Sequence, residues 1–316
     1  MAQPRPDHRS WALAVGGVAG AVLGAAFVAA PMALGPDAPA GHAASSSVYR
    51  VPLPAAPVRL EERADEVRLT VCARRYEGPS LPSVWVAGVV HVAEPGFYRW
   101  VDGLLAEQDV VFYEGVEGPE RPPTDKAGLG DIAAVLGLVE QSGIDTTRPD
   151  WHNSDMTVTE LEAALYAAGA EADYVQMLLH EVDDDYGRAI QELGGVEPRF
   201  VAHARHSLMA SISIPPATGD SPEDKIYRDV LIEARDAVVI ADLLAVAERP
   251  EVESVGILYG VAHLDDLDRM LTAEGWHGSG ESCETAMRVR LMEIGLGHVQ
   301  LRQVRARMTS ARMRTR

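Results

Sequence analysis

Basic residues are scarce in this chain: 28 Lys and Arg stand against 47 Asp and Glu, a formal charge of −19. A surface of that sign repels a polyanion, which argues against nucleic acid as a partner. Aromatic residues are also few, at 6%, so the core is expected to be an ordinary globular one rich in alanine and valine. Only two cysteines occur, Cys72 and Cys283. In an oxidising compartment they can pair; as two buried free thiols they would not, and the sequence leaves both readings open. No Gly-rich phosphate loop, GxSxG elbow or HExxH helix is present. Nucleotide use, serine hydrolysis and zincin chemistry are therefore unsupported. No internal repeat of about 20–50 residues appears either.

What is present begins with an uncharged stretch from Trp11 to Gly35, preceded by Arg5 and Arg9. A spanning helix needs about 20 apolar residues, and the apolar part of a cleaved signal about 7–15. Length favours an anchor, whereas the Ala/Gly content and Pro31 weaken it. Residues 1–35 thus read as a membrane anchor or a cleaved signal, and the basic flank exports the remaining chain either way. Residues 36–65, rich in Ala, Pro and Ser as far as Pro57, read as a linker. Residues 66–300 follow as the folded domain, within the roughly 250 residues that one α/β domain can hold. Residues 301–316 carry six arginines from Arg302 to Arg316 and no acid, as a solvated tail or a contact for anionic lipid headgroups.

Within the domain, 67–72 alternates as a strand with one wet face, and 84–90, 109–113 and 255–259 are short apolar runs that read as buried strands. A late strand is expected at Cys283–Met292. Helical spacing occurs at 97–107, 132–141, 158–168, 172–191, 199–212, 225–249 and 264–274. Thr157 or Thr159, with Glu160 or Glu162 three residues on, has the form of a capping box. The order predicts an α/β fold: a mixed, largely parallel sheet flanked by helices, with a helical middle insertion. Strand, helix and strand between 84 and 113 suggest a right-handed parallel crossover, which brings the ends of those strands to one edge.

Two of those strands end almost alike, in Gly88-Val89-Val90-His91 and Gly260-Val261-Ala262-His263. A glycine there allows a tight turn or a close approach that a Cβ would block. The histidine then sits at a strand's carboxyl end, where open α/β sheets bind their ligands. The third strand delivers Glu114 at the same relative position. His91, Glu114 and His263 are therefore candidate ligands of a divalent transition metal, with Mn, Co, Zn or Fe suiting imidazole and carboxylate donors. Arg235 is a candidate for stabilising an oxyanion or holding a substrate carboxylate, through its planar fork. Each has a plainer reading: a structural histidine, a salt-bridged Glu114, an Arg235 paired with a core carboxylate, and turn or cap duty for Asn153 and Asp155.

The segments 84–91, Phe97-Tyr98 and Asp109–Val116, then Trp151-His152-Asn153-Ser154-Asp155-Met156, Leu231–Asp236 and Leu258–Leu264, resemble the TraB/PrgY/Tiki/GumN family in order and spacing, over roughly residues 66–293. Ala234 departs from it, because many members have an acid before the arginine. The resemblance implies a fold shared with erythromycin-esterase-like and haem-binding ChaN-like proteins. It also implies a metal-dependent peptidase, tethered to a membrane with its domain outside the cell. His91, Glu114 and His263 would bind the metal, Glu114 and Arg235 would serve catalysis, Gly88 and Gly260 would be the motif glycines, and Asn153, Asp155 and Asp236 would stand behind them. The expectation is an exported metal-dependent hydrolase acting on a peptide or protein. Its alternatives are a protein that sequesters a peptide signal without cutting it, and a haem- or metal-binding module.

Overall fold

The computed structural model describes residues 56–116, 129–141, 144–175, 198–213 and 221–294. The N-terminal segment 1–35 and the basic tail 301–316 lie outside them, as does most of the helix expected at 172–191.

A seven-stranded sheet organises the chain. Its strands are β1 (Val58–Glu62), β2 (Glu66–Glu77), β3 (Ser83–Val89), β5 (Val110–Tyr113), β7 (Trp151–Asn153), β8 (Ser254–Gly260) and β9 (His277–Arg290). The two short strands β4 (Val92–Ala93) and β6 (Val139–Glu140) pair with each other. The long β2 binds β1 through residues 67–71 and β3 through 74–76, both antiparallel, while β9 runs antiparallel along its whole length. Beyond β3 the order is β8, β5, β7, all parallel. The fold is α/β with a mixed, largely parallel sheet flanked by helices, as the sequence predicts.

The apolar runs are continuous because both sheet faces are covered. On one face Ala87, Val89, Val111 and Leu258 pack with Phe97, Val101 and Leu105 of helix α1 (Pro95–Leu105). Ile132 of α2 (Leu129–Val135) and Leu208 and Met209 of α4 (Pro198–Ile212) join that core. On the other face Val84, Val86, Phe112, Val255 and Ile257 meet Val239 and Leu243 of α6 (Arg235–Ala247) and Leu267 and Leu271 of α7 (Leu264–Ala273). A third apolar cluster joins α3 (Val158–Ala167) to α5 (Pro222–Ile226) and the π-helix Tyr227–Ala234 that follows it. These helices lie between β7 and β8 in the chain.

Several boundaries differ from the sequence pattern. Strand β1 falls inside 36–65, so the folded part starts before residue 66. The helix expected at 132–141 spans Leu129–Val135 instead. Gly137 (φ +65°) ends it, with Gly137 N–H donating to Ala134 O and Leu138 N–H to Ala133 O, the paired bonds of a Schellman cap. The helical pattern at 225–249 is real but interrupted by the π-helix. The Thr157–Glu160 capping box forms, with Glu160 N–H donating to Thr157 Oγ1 at 3.2 Å and Thr157 N–H to Glu160 Oε2 at 2.8 Å. Cys72 and Cys283 face each other across β2 and β9 and are joined by a disulfide.

Candidate functional site

Four adjacent parallel strands end on one edge, and each delivers a polar residue there. In sheet order these are His91 after β3, His263 in the 3₁₀ turn after β8, Glu114 after β5 and Asp155 after β7. The carboxyl edge of such a sheet is where α/β proteins bind ligands.

The motif glycines act by close approach, and neither has a positive φ. A Cβ on Gly88 would lie 2.6 Å from Leu264 Cδ1 and 3.1 Å from Val261 Cγ1, so the first GxxH makes room for the second. A Cβ on Gly260 would come within 3.1 Å of Glu114 Oε2. Its N–H instead donates to that oxygen at 2.5 Å.

Glu114 is gripped from three sides. Besides the Gly260 amide, Arg235 Nη2 donates to Oε1 at 2.6 Å, and His263 Nε2 lies 3.7 Å from the same oxygen. Burial opposes the charge on Glu114, but His263, Arg235 and the amide outweigh it and hold the carboxyl down to about 2. The side chain still keeps 23% of its exposure, the condition of a group lining a cleft.

His263 is buried at 3% exposure, with Nδ1 2.6 Å from Asp236 Oδ1. A carboxylate on Nδ1 fixes the ring and turns Nε2 toward Glu114, the kind of support that metal-binding histidines usually have. The Tyr259 ring stands edge-on to the imidazole at 5.2 Å, and the Tyr259 hydroxyl donates to Ser154 O. Asp236 is fully buried, and its Oδ2, like Asp266 Oδ2, has no hydrogen-bond partner among the described residues. Burial above all pushes the Asp236 carboxyl up to about 6; Asp266 adds to this and His263 opposes it.

Arg235 opens α6 at the end of the π-helix. Its Nε and Nη2 donate to Asp155 Oδ1 and Oδ2 at 2.9 and 2.6 Å, Nη2 also reaches Glu114, and Nη1 turns back to Leu231 O at 3.4 Å. Four of the five guanidinium N–H groups are thus committed. In this geometry the guanidinium is held against Asp155 and Glu114, with one Nη1 N–H left over. Burial works against its charge, but Asp155 and Glu114 raise its pKa further. Asp155 is wholly buried and also accepts from Gly115 N–H at 3.0 Å and Met156 N–H at 2.7 Å. Asn153 Nδ2 donates to Gly115 O at 2.6 Å and so fixes the loop that carries Glu114.

His91 is solvent-exposed. Its surroundings are nonetheless crowded: burial lowers its pKa first, Arg235 lowers it further, and Glu114 opposes both. It therefore ends its strand on the same sheet edge, close enough to Glu114 and Arg235 to feel their charges. The donor chemistry fits a divalent metal, since two ligands of one tetrahedral ion lie about 3.4 Å apart, close to the 3.7 Å between His263 Nε2 and Glu114 Oε1. The ligand atoms of His91, Glu114 and His263 do not all lie within 4.8 Å of one another, however. Among the described residues the trio that does is Cys72, Glu281 and Cys283, whose sulfurs are bonded to each other.

One neighbour of the site escapes the sequence pattern: Tyr259, edge-on to His263, reads as one more apolar strand residue. Comparison of the chain with protein-family models, with curated proteins and with solved structures found no match in any of the three.

Proposed function

We propose that this protein is an exported hydrolase of peptides that works with a divalent transition metal, of the TraB/PrgY/Tiki/GumN type, tethered to a membrane by residues 1–35 or secreted if they are cleaved. One observation carries the proposal: Glu114 and the Asp236-oriented His263 converge on the carboxyl edge of four parallel strands. His91, Glu114 and His263 would hold the ion, whether Mn, Co, Zn or Fe. When bound, such an ion supplies Lewis acidity toward a substrate carbonyl and acidifies water near neutral pH. The chain's own groups do the rest. Asp236 presents Nε2 of His263. Arg235 and the Gly260 amide keep Glu114 ionised, so that it can ligate or take a proton at a carboxylate oxygen. The lowered pKa of His91 keeps its imidazole neutral, the form that ligates or accepts a proton. The Cys72–Cys283 disulfide is in keeping with an oxidising, exported compartment.

Glu114→Gln should reduce peptide cleavage by about 10²-fold or more, the usual scale for a general base. Cleavage by Glu114→Gln at the wild-type rate would contradict the proposal. The second reading, a protein that sequesters a peptide signal, is favoured by one observation: the three ligand atoms are not gathered within 4.8 Å. A wild type that retains peptides but cuts none with any of the four metals would establish it. A haem absorbance band on addition of haem would point to a haem-binding module instead.

A further inference from the structure

Away from the four strand ends, one trio of ligand atoms among the described residues is tightly gathered. The sulfurs of Cys72 and Cys283 and a carboxylate oxygen of Glu281 all lie within 4.8 Å of one another. The register of the sheet makes this cluster. Cys72 of β2 stands directly opposite Cys283 of β9, and Arg74, two residues along β2, stands opposite Glu281. Side chains two apart share a face of a strand, so Cys72, Cys283 and Glu281 point the same way. Ser282, between the last two, points the other way, toward α1, where Trp100 Nε1 donates to its hydroxyl at 3.2 Å. The sulfurs are joined as a disulfide, yet the bond is within reach of solvent. Among the described residues β2 is the one strand that β9 pairs with, and Cys283 is exposed whereas Cys72 is buried. Glu281 is already oriented. Arg59 Nη2 donates to its Oε1 and Oε2 at 3.0 and 2.9 Å, which leaves carboxylate lone pairs for a further partner.

We propose that Cys72, Cys283 and Glu281 form a redox-dependent binding site for a thiophilic divalent metal, Zn(II) being the ion that two thiolates and a carboxylate suit best. The switch is thiol–disulfide exchange with a dithiol reductant. One thiolate of the dithiol attacks the exposed Cys283 sulfur and Cys72 leaves as thiolate; the second thiol then displaces Cys283. The dithiol ends as its own disulfide, and the two protein sulfurs hold its electron pair as thiols. Zn(II) next replaces the two thiol protons, which are released. Two sulfurs on one tetrahedral ion lie about 3.8 Å apart, and rotation about the Cα–Cβ bonds opens that separation once the S–S bond is broken. Water completes the coordination. Two thiolates and a carboxylate carry one negative charge more than a divalent ion neutralises, and Arg59 supplies the balance. The ion thus ties β9 to β2 again where the disulfide had joined them. This inference is independent of the reading of the strand-end site.

The test uses the full-length protein, reduced with a water-soluble phosphine that is then removed under argon, and Co(II) as an optical probe. Reduced wild type should bind Co(II) with the near-ultraviolet charge-transfer band of a cobalt thiolate, and Zn(II) should abolish the band by displacement. The oxidised protein should show none. The band comes only from sulfur, so metal held by the strand-end histidines does not mimic it. Glu281→Gln keeps both cysteines and their disulfide. After reduction it should bind Co(II) about tenfold or more weakly, at least the loss that an outer partner of a metal site causes. Reduced wild type that keeps its circular dichroism and gives no band would overturn the proposal. So would equal affinity in Glu281→Gln, which would mean binding by the two thiols alone. A reduced chain that loses its circular dichroism would overturn it as well, since the site exists only while β2 and β9 are paired.

Discussion

Arg235 joins two carboxylates delivered by different strands, so a substitution that keeps its charge should still damage the site. Lysine offers a point charge and cannot span Asp155 and Glu114 with a planar fork. Arg235→Lys should destabilise the fold by about 1.5–3 kcal/mol, the usual worth of a hydrogen bond to a charged group, and should remove activity together with the alignment of Glu114. Chemical denaturation checks the first part, and an unchanged midpoint would contradict it. Glu114 also has a signature in acid. Its folded pKa of about 2 lies below the ordinary 4.5. The unfolded chain therefore binds the proton more readily, and the Glu114 contribution, complete above about 4.5, is lost as the pH falls toward 2. Metal-free wild type should lose stability over that window, and Glu114→Gln should lack this component. Parallel stability curves for the two proteins in thermal melts between those pH values would show that the grip on Glu114 is not there.

At the scale of elements, the disulfide joins β2, the first long strand of the sheet, to β9, the last, across 211 residues of sequence. Closing so long a loop restricts the unfolded chain strongly, and loss of a native disulfide typically costs about 2–5 kcal/mol. Cys283→Ser should therefore melt several degrees lower than the wild type, and an equal melting temperature would contradict a stabilising role. The buried parallel strands were legible in the sequence because both faces are covered, which leaves short uninterrupted apolar runs, and the capping box declared its helix. Strand β7 was not legible. It is three residues long, Trp151-His152-Asn153, with two polar members, and pairing with β5 makes it a strand where no periodicity could. The early part of β9 was hidden for a similar reason: Gly278, Ser279 and Gly280 carry no apolar alternation, yet β2 pairs with Gly278 and Gly280 and leaves Ser279 out at a bulge. The π-helix has the same composition as the α-helix it interrupts, so only the packing around Arg235 distinguishes it. The two GxxH motifs were visible as motifs, whereas the fit of Gly88 under Val261 and Leu264 depends on β3 and β8 lying side by side.

For the whole molecule, the distribution of charge bears on location. Arg5 and Arg9 precede the apolar stretch, and the next basic residue is Arg50, an asymmetry that predicts an inside N-terminus and an exported domain. A reporter enzyme that works only after export should be active when fused after Arg316, and one that works only inside the cell should be silent. The reverse pattern would place the domain in the cytoplasm. Among the described residues no helix is long and apolar enough to cross a membrane; residues 1–35, the tether proposed above, lie outside them. The central claim is that three strand ends, carrying His91, Glu114 and His263, hold a divalent metal, and elemental analysis of the purified full-length protein tests it most directly. Wild type should carry close to one divalent transition metal per chain, and His91→Ala and His263→Ala should each lose it with unchanged circular dichroism. Equal metal content in all three folded proteins would contradict the account.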